Sequence, residues 1–374
     1  MPAPTRKTIF AEQHIEAALL SMPDYVEEFV VSKRRTHSPT TLSGYLHDYK
    51  KFFDWLRKKE LTDAASNKEI PYTILQHLKK TDMESFFNQI ALEKIKKGPN
   101  NAPIRSDASL NRFIQSLKTL FSYLTTETEN EDGECYFDRN VMKKIKTNKN
   151  SETTASRAKR INSNSLKSDE MDDFLDFIRF SYADKLQPRQ KSRFERDRLR
   201  DIAIVSLFQG SGIRVNELAG LLIKDIDFQN GDLTTLRKGN KLDTVSITNT
   251  ALKDLKTYID EREHIYKPDA KNQFVFLTKY RGTANPISVE AVQRIVNKYS
   301  QAFLLGKRIS PHKLRHSFAK KWLDKGGPLV GLRDQLGHNS IHTTSNYTNF
   351  SQNEQRIHLD TMDSKSNDNN SDDS

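Results

Sequence analysis

The 374-residue chain has a single cysteine, Cys135, which excludes an intrachain disulfide and a thiolate cluster for zinc or for iron and sulfur. A reducing cytoplasm is the expected compartment. No stretch approaches the roughly 18 to 20 consecutive apolar residues of a membrane span, and Met1 to Phe10 lacks the apolar core of a signal peptide, so no membrane association is expected. Negative charge is also in short supply: 49 Asp plus Glu face 60 Lys plus Arg, a formal net charge of +11. That surplus suits a polyanionic partner whose condensed counterions are released on binding. His312 and His316 stand four residues apart, but no glutamate lies between them in a metalloprotease pattern and no thiolate is at hand, so no metal is expected.

The length implies more than one domain. Residues 1–145 read as a helical module. Leu42, Tyr45, Leu46, Tyr49, Phe52, Phe53 and Leu56 recur at the period of one helical face, with Ser38 and Pro39 as cap and first turn. Leu110, Phe113, Ile114, Leu117, Leu120, Phe121 and Leu124 form a second face, introduced by Ser106 and Asp107, and Met83, Phe86, Phe87 and Ile90 a third. These aromatic stripes read as core, leaving Arg112 and Lys118 to face phosphate. Between Lys143 and Arg160 lie seven lysines and arginines and one acid, Glu152, the composition of a linker. Residues 146–164 are taken as that linker, and Lys143, Lys144, Arg157, Lys159 and Arg160 as DNA-backbone contacts. Residues 165–358 form a second domain. The tail, 359–374, has five aspartates and too little apolar surface to fold, and is expected to be disordered.

In the second domain, Gly210 and Gly212 permit a tight turn, so that Arg214 opens a helix burying Leu218, Leu221 and Leu222. Asn230-Gly231 and Gly239-Asn240 signal hairpins between strand-like segments Leu233 to Leu236 and Thr244 to Ile247, which puts Lys238 on a turn at the edge of a small antiparallel sheet. Helices follow from Ile287 to Phe303 and from His312 to Leu323. The fold class expected is mainly α with a small antiparallel β-sheet.

Six residues in this domain suit chemistry at a phosphodiester. Its non-bridging oxygens gain charge in the transition state, and two planar guanidiniums, Arg214 and Arg315, would make a preorganised clamp. His312, three residues before Arg315, shares its helical face and exchanges protons near neutral pH. Tyr347 follows His338 by nine residues with Thr343 and Thr344 between. A free phenol, with a pKa of about 10, is a poor nucleophile until a base and nearby positive charge activate it.

Gly212-Ile213-Arg214-Val215-Asn216-Glu217, Arg237-Lys238-Gly239-Asn240-Lys241, His312-Lys313-Leu314-Arg315-His316, Leu336-Gly337-His338 and Tyr347 together resemble the tyrosine recombinase (phage integrase) family, over Ser165 to His358. The resemblance implies that Tyr347 attacks the scissile phosphate to give a 3′-phosphotyrosyl bond, that Arg214 and Arg315 bind the phosphate, and that Lys238 protonates the leaving oxygen. It further implies that His312 assists proton transfer, that His338 supports the site by hydrogen bonding, and that Glu217 orders the pocket. The covalent bond stores the energy, so no cofactor is implied. Residues 1–145 are similar, more loosely, to the helical core-binding domain of that family. Met22 to Val26 and Thr40 to Leu56 look like the stand-alone Xer branch, which resolves bacterial chromosome dimers. The partners implied are double-stranded DNA with an inverted-repeat-like site and a homotetramer on two such sites, a dimer on each; activation by a DNA translocase such as FtsK stays open. Extra basic residues between Lys185 and Arg200 and the acidic tail depart from compact Xer proteins and keep a mobile-element integrase as an alternative. A type IB topoisomerase and a non-catalytic DNA-binding regulator are the further rivals.

Overall fold

The computed structural model describes residues 6–92, 107–147, 166–237, 241–304, 308–338 and 344. The chain divides into two compact units, Met1–Ser151 and Glu152–Ser374. The expectation of a mainly helical protein with a small antiparallel sheet is borne out, and a second, two-stranded antiparallel sheet is also present. The basic linker and the acidic tail, with Arg157, Lys159 and Arg160, fall outside the described residues.

The first unit is helical: α1 (Arg6–Leu19), α2 (Asp24–Lys33), α3 (Pro39–Lys58), α4 (Tyr72–His77), α5 (Lys80–Leu92) and α6 (Asp107–Thr126). The Ser38 hydroxyl accepts from the Thr41 backbone N–H at 3.2 Å, satisfying a donor that the first turn of α3 leaves without a partner. The apolar faces of α3, α5 and α6 meet in an aromatic core, with Phe52 against Phe86 at 5.2 Å and Phe86 against Phe113 at 5.6 Å between ring centres. Arg112, with half of its side chain exposed, is nevertheless engaged by an acid. Its two terminal nitrogens form a fork at 2.8 Å each on Asp48, a carboxylate of α3 that is 0% exposed. Lys143 and Lys144 lie exposed on a 3₁₀ turn, Val141–Lys144.

The second unit comprises α7 (Ser168–Asp176), a π-helical turn (Phe177–Ser181), α8 (Pro188–Ser211), α9 (Val215–Ala219), α10 (Asn249–Tyr266), α11 (Val289–Phe303), α12 (Pro311–Asp324) and α13 (Leu329–Leu336). Helices α8 and α10 pack side by side, and Gly210 permits it: a Cβ there would overlap Thr248 and Ala251. A three-stranded antiparallel sheet, β1 (Ile226–Asp227), β2 (Asp232–Arg237) and β3 (Lys241–Ser246), pairs Leu233 with Val245, both buried, and Arg237 with Lys241. A separate hairpin joins β4 (Leu277–Tyr280) to β5 (Thr283–Pro286). Between α8 and α11 lies a buried polar cluster. Asp201 accepts from Arg200 Nη2 at 2.6 Å, from the Tyr299 hydroxyl at 2.6 Å and from Lys298 Nζ at 3.2 Å. An acid removed from water is tolerable only with such partners.

Candidate active site

Helix α8 ends at Gly212, which takes the left-handed conformation (φ 64°) that favours glycine and turns the chain sharply. Arg214 is thereby set at the N-cap of α9. The Glu217 carboxylate reaches back to accept from the Arg214 backbone N–H at 2.9 Å and from its Nη1 at 2.8 Å, so one acid both caps the helix and orients the guanidinium. Glu217 is 5% exposed and Arg214 36%, so the guanidinium is reachable while its anchor is not.

Arg315 comes from α12, whose start is fixed by Pro311 and by the Ser310 hydroxyl accepting from the Lys313 N–H at 3.4 Å. Its guanidinium is 3% exposed. It donates through Nη1 to the Gly212 carbonyl at 2.5 Å, through Nη2 to the Leu336 carbonyl, and toward His338 Nε2 at 3.3 Å. Arg214 Nη2 donates to the next carbonyl, Gly337 O, at 2.9 Å. The two arginines are therefore held on successive carbonyls at the end of α13, where helix geometry leaves acceptors without intrahelical donors.

Gly337, also left-handed at φ 58°, ends α13 and directs His338 back toward Arg315. An arginine only donates, so the His338 Nε2 facing it is the acceptor; the proton then sits on Nδ1, 2.9 Å from the hydroxyl of the fully buried Thr344. Burial and the adjacent Arg315, Arg214 and Arg237 charges push the His338 pKa down to about 4, which keeps the ring neutral at physiological pH. His312 lies at the solvent-exposed start of α12 with its ring 4.3 Å from that of His316. Partial desolvation, then Arg315 and Arg214, lower its pKa as well.

Arg214, Glu217, Arg315, His338 and His312 thus gather around the ends of α8, α12 and α13. Lys238 and Tyr347 lie outside the described residues. Sequence reasoning passed over Arg237 and Thr344. Arg237, 7% exposed, pairs with Asp243 at 2.8 Å and donates to the Gln335 carbonyl at 3.0 Å. Its only sequence signal was its place beside Lys238; Thr344 gave none beyond its position between His338 and Tyr347.

Residues 164–354 match the phage integrase family. Tyrosine recombinase XerS of Streptococcus uberis is 38% identical over 358 residues, covering 96% of this chain and 100% of that protein, and XerS of Streptococcus pyogenes has the same identity and coverage. Among solved structures, XerH site-specific recombinase bound to palindromic difH substrate superposes with a TM-score of 0.59 at 22% identity, over 87% of this chain and 80% of that one. The Tn1549 transposon integrase in complex with circular intermediate DNA gives 0.58 at 19%, over 91% and 99%. With a family match across its second unit and a relative aligned along nearly its whole length, the chain belongs to the phage integrase family, the tyrosine recombinases.

Proposed function

We propose that this protein is the recombinase that resolves chromosome dimers in its host, cutting and rejoining double-stranded DNA through Tyr347. The observation that carries this reading is the pair of guanidiniums, Arg214 and Arg315, anchored on the carbonyls of Gly337 and Leu336 with a neutral His338 next in the chain. A phosphate bridging two such groups meets donors already aimed, so little reorganisation is needed as its charge grows. Identity of 38% to XerS proteins along 96% of the chain favours the chromosomal role over a mobile element.

In the reaction, the Tyr347 phenol oxygen attacks phosphorus and the bond to the 5′ oxygen breaks. The phenol proton passes to His312, which is available as a base because its pKa is lowered. The departing 5′ oxygen takes a proton from the Lys238 ammonium. The 3′-phosphotyrosyl bond conserves the phosphoester energy, and a 5′ hydroxyl from another strand reverses the steps. Two dimers of the protein, each on one inverted-repeat site, would supply the strands to be exchanged. Lys143 and Lys144, with Arg157, Lys159 and Arg160, would contact the phosphate backbone.

Genomic fragments retained by the purified protein, rebuilt as nicked suicide duplexes, test the reading. A denaturant-resistant protein–DNA adduct at one phosphodiester is expected, together with strand exchange between two marked duplexes. Tight binding with no adduct would overturn it in favour of a DNA-binding regulator, and adduct with relaxation but no exchange in favour of a topoisomerase.

A further inference from the structure

Three consecutive carbonyls at the end of α13 each hold an arginine. Gln335 O accepts from Arg237, Leu336 O from Arg315 and Gly337 O from Arg214. Arg315 and Arg214 are explained by the proposed phosphate chemistry; Arg237 is not. It stands at the end of β2, pairs across the sheet with Asp243 of β3, and passes over Gly337, where any Cβ would overlap its guanidinium. The absence of a side chain at 337 is thus needed twice, for the backbone turn and for this passage.

Arg237 is a costly way to make a packing contact. Its Nε and Nη1 are both buried without a hydrogen-bond partner among the described residues, and a buried donor left so is destabilising. Burial and the neighbouring Arg214 charge both lower its pKa, opposed by Asp243 and Glu217. A leucine at 237 would fill the space without these penalties. What an arginine does and a leucine cannot is pair by charge with a strand carboxylate while hydrogen-bonding a helix end. Arg237 is also covalently next to Lys238, so whatever fixes Arg237 fixes the root of that lysine.

We propose that Arg237 is a positioning residue that ties the end of β2 to the C-terminus of α13 and so sets Lys238 in register with the phosphate held by Arg214 and Arg315. This rests on the function proposed above for Lys238 as proton donor to the leaving oxygen.

The test uses the full chain and two nicked suicide duplexes of one sequence, differing only in the 5′ bridging atom of the scissile linkage, oxygen or sulfur. A thiolate leaves without being protonated, so a fault in delivering the proton disappears on the sulfur duplex. Arg237→Ala is expected to form adduct about 100-fold more slowly on oxygen, the low end of what a positioned general acid supplies. Duplex binding should stay within about twofold, and the rate on sulfur within about threefold, of the unmodified protein. Arg237→Lys should fall between the two, since an ammonium lacks the planar fork. If Arg237→Ala melts too early to assay, Asp243→Asn removes only the half-exposed ion-pair partner and should show a smaller deficit of the same kind. A deficit of equal size on both duplexes, or none on oxygen, would overturn the proposal. An unmodified protein that makes no adduct on either duplex would instead overturn the proposed function.

Discussion

The two units bury charge for different ends. In the first, among the described residues, one acid lies fully inside, Asp48, and it is matched by a single arginine across two helices. The second holds Asp197, Arg200, Asp201, Arg262 and Arg315 below one-tenth exposure. Asp197, Arg200 and Asp201 cancel one another, and Arg262 is bound up in the carbonyls of Asn272 and Phe274. Arg315 sits instead on the carbonyls of Gly212 and Leu336 beside a neutral His338, with the reachable guanidinium of Arg214 on the next carbonyl. Buried charge neutralised in place braces a fold; two guanidiniums gathered on adjacent carbonyls, one of them reachable from solvent, can also attract an anion.

That contrast can be broken most sharply at Tyr347. Tyr347→Phe is expected to bind duplex normally and leave no detectable adduct on denaturing gels; adduct at full yield would remove the nucleophile. Next, Arg315→Lys should slow adduct formation by about 100-fold or more, comparable to losing one preorganised donor in an oxyanion site. Its first unit should melt unchanged. Arg112→Ala should do the reverse, leaving the buried Asp48 without its counterion and costing the first unit about 3 kcal/mol in denaturant unfolding. The adduct rate at saturating duplex should hardly move. A slow rate in Arg112→Ala at full stability would show that its charge is not spent on the fold alone.

The smallest effect expected is with pH. His338 takes up a proton near 6.5 when unfolded and only near 4 when folded, so the unfolded chain binds the extra proton between those values. Stability should therefore fall as pH drops from about 6.5 to about 4, and the melting temperature of the unmodified protein should decline more across that window than that of His338→Gln. Parallel curves would mean that His338 is not held neutral by the arginines.

Much of the first unit was legible because its core is aromatic and strictly periodic: α3 and α6 begin and pack where the spacing of Leu42 to Leu56 and Leu110 to Leu124 indicates. Arg112, exposed as expected, was read as free because its partner, Asp48, is 64 residues away and nothing in a helical pattern reveals such a pairing. In the second unit the turn glycine before Arg214 and the helix carrying His312 and Arg315 were readable from local rules. Buried Arg200, Asp201 and Arg262 were not, since a charged residue within a helix looks the same in sequence whether solvent or a partner meets it. Arg237 was quoted beside Lys238 yet given no part, because its role depends on where α13 ends in space.

The end of α13 has one more consequence. Peptide carbonyls fix a guanidinium by short directional bonds but bring no formal negative charge, so what offsets the positive charge of this cluster comes from Glu217 on Arg214 and Asp243 on Arg237. Dissolved ions screen long-range attraction within about 10 Å at 0.1 M and leave such short bonds largely intact. Raising ionic strength should therefore drive DNA away from a cradle that does not itself change shape.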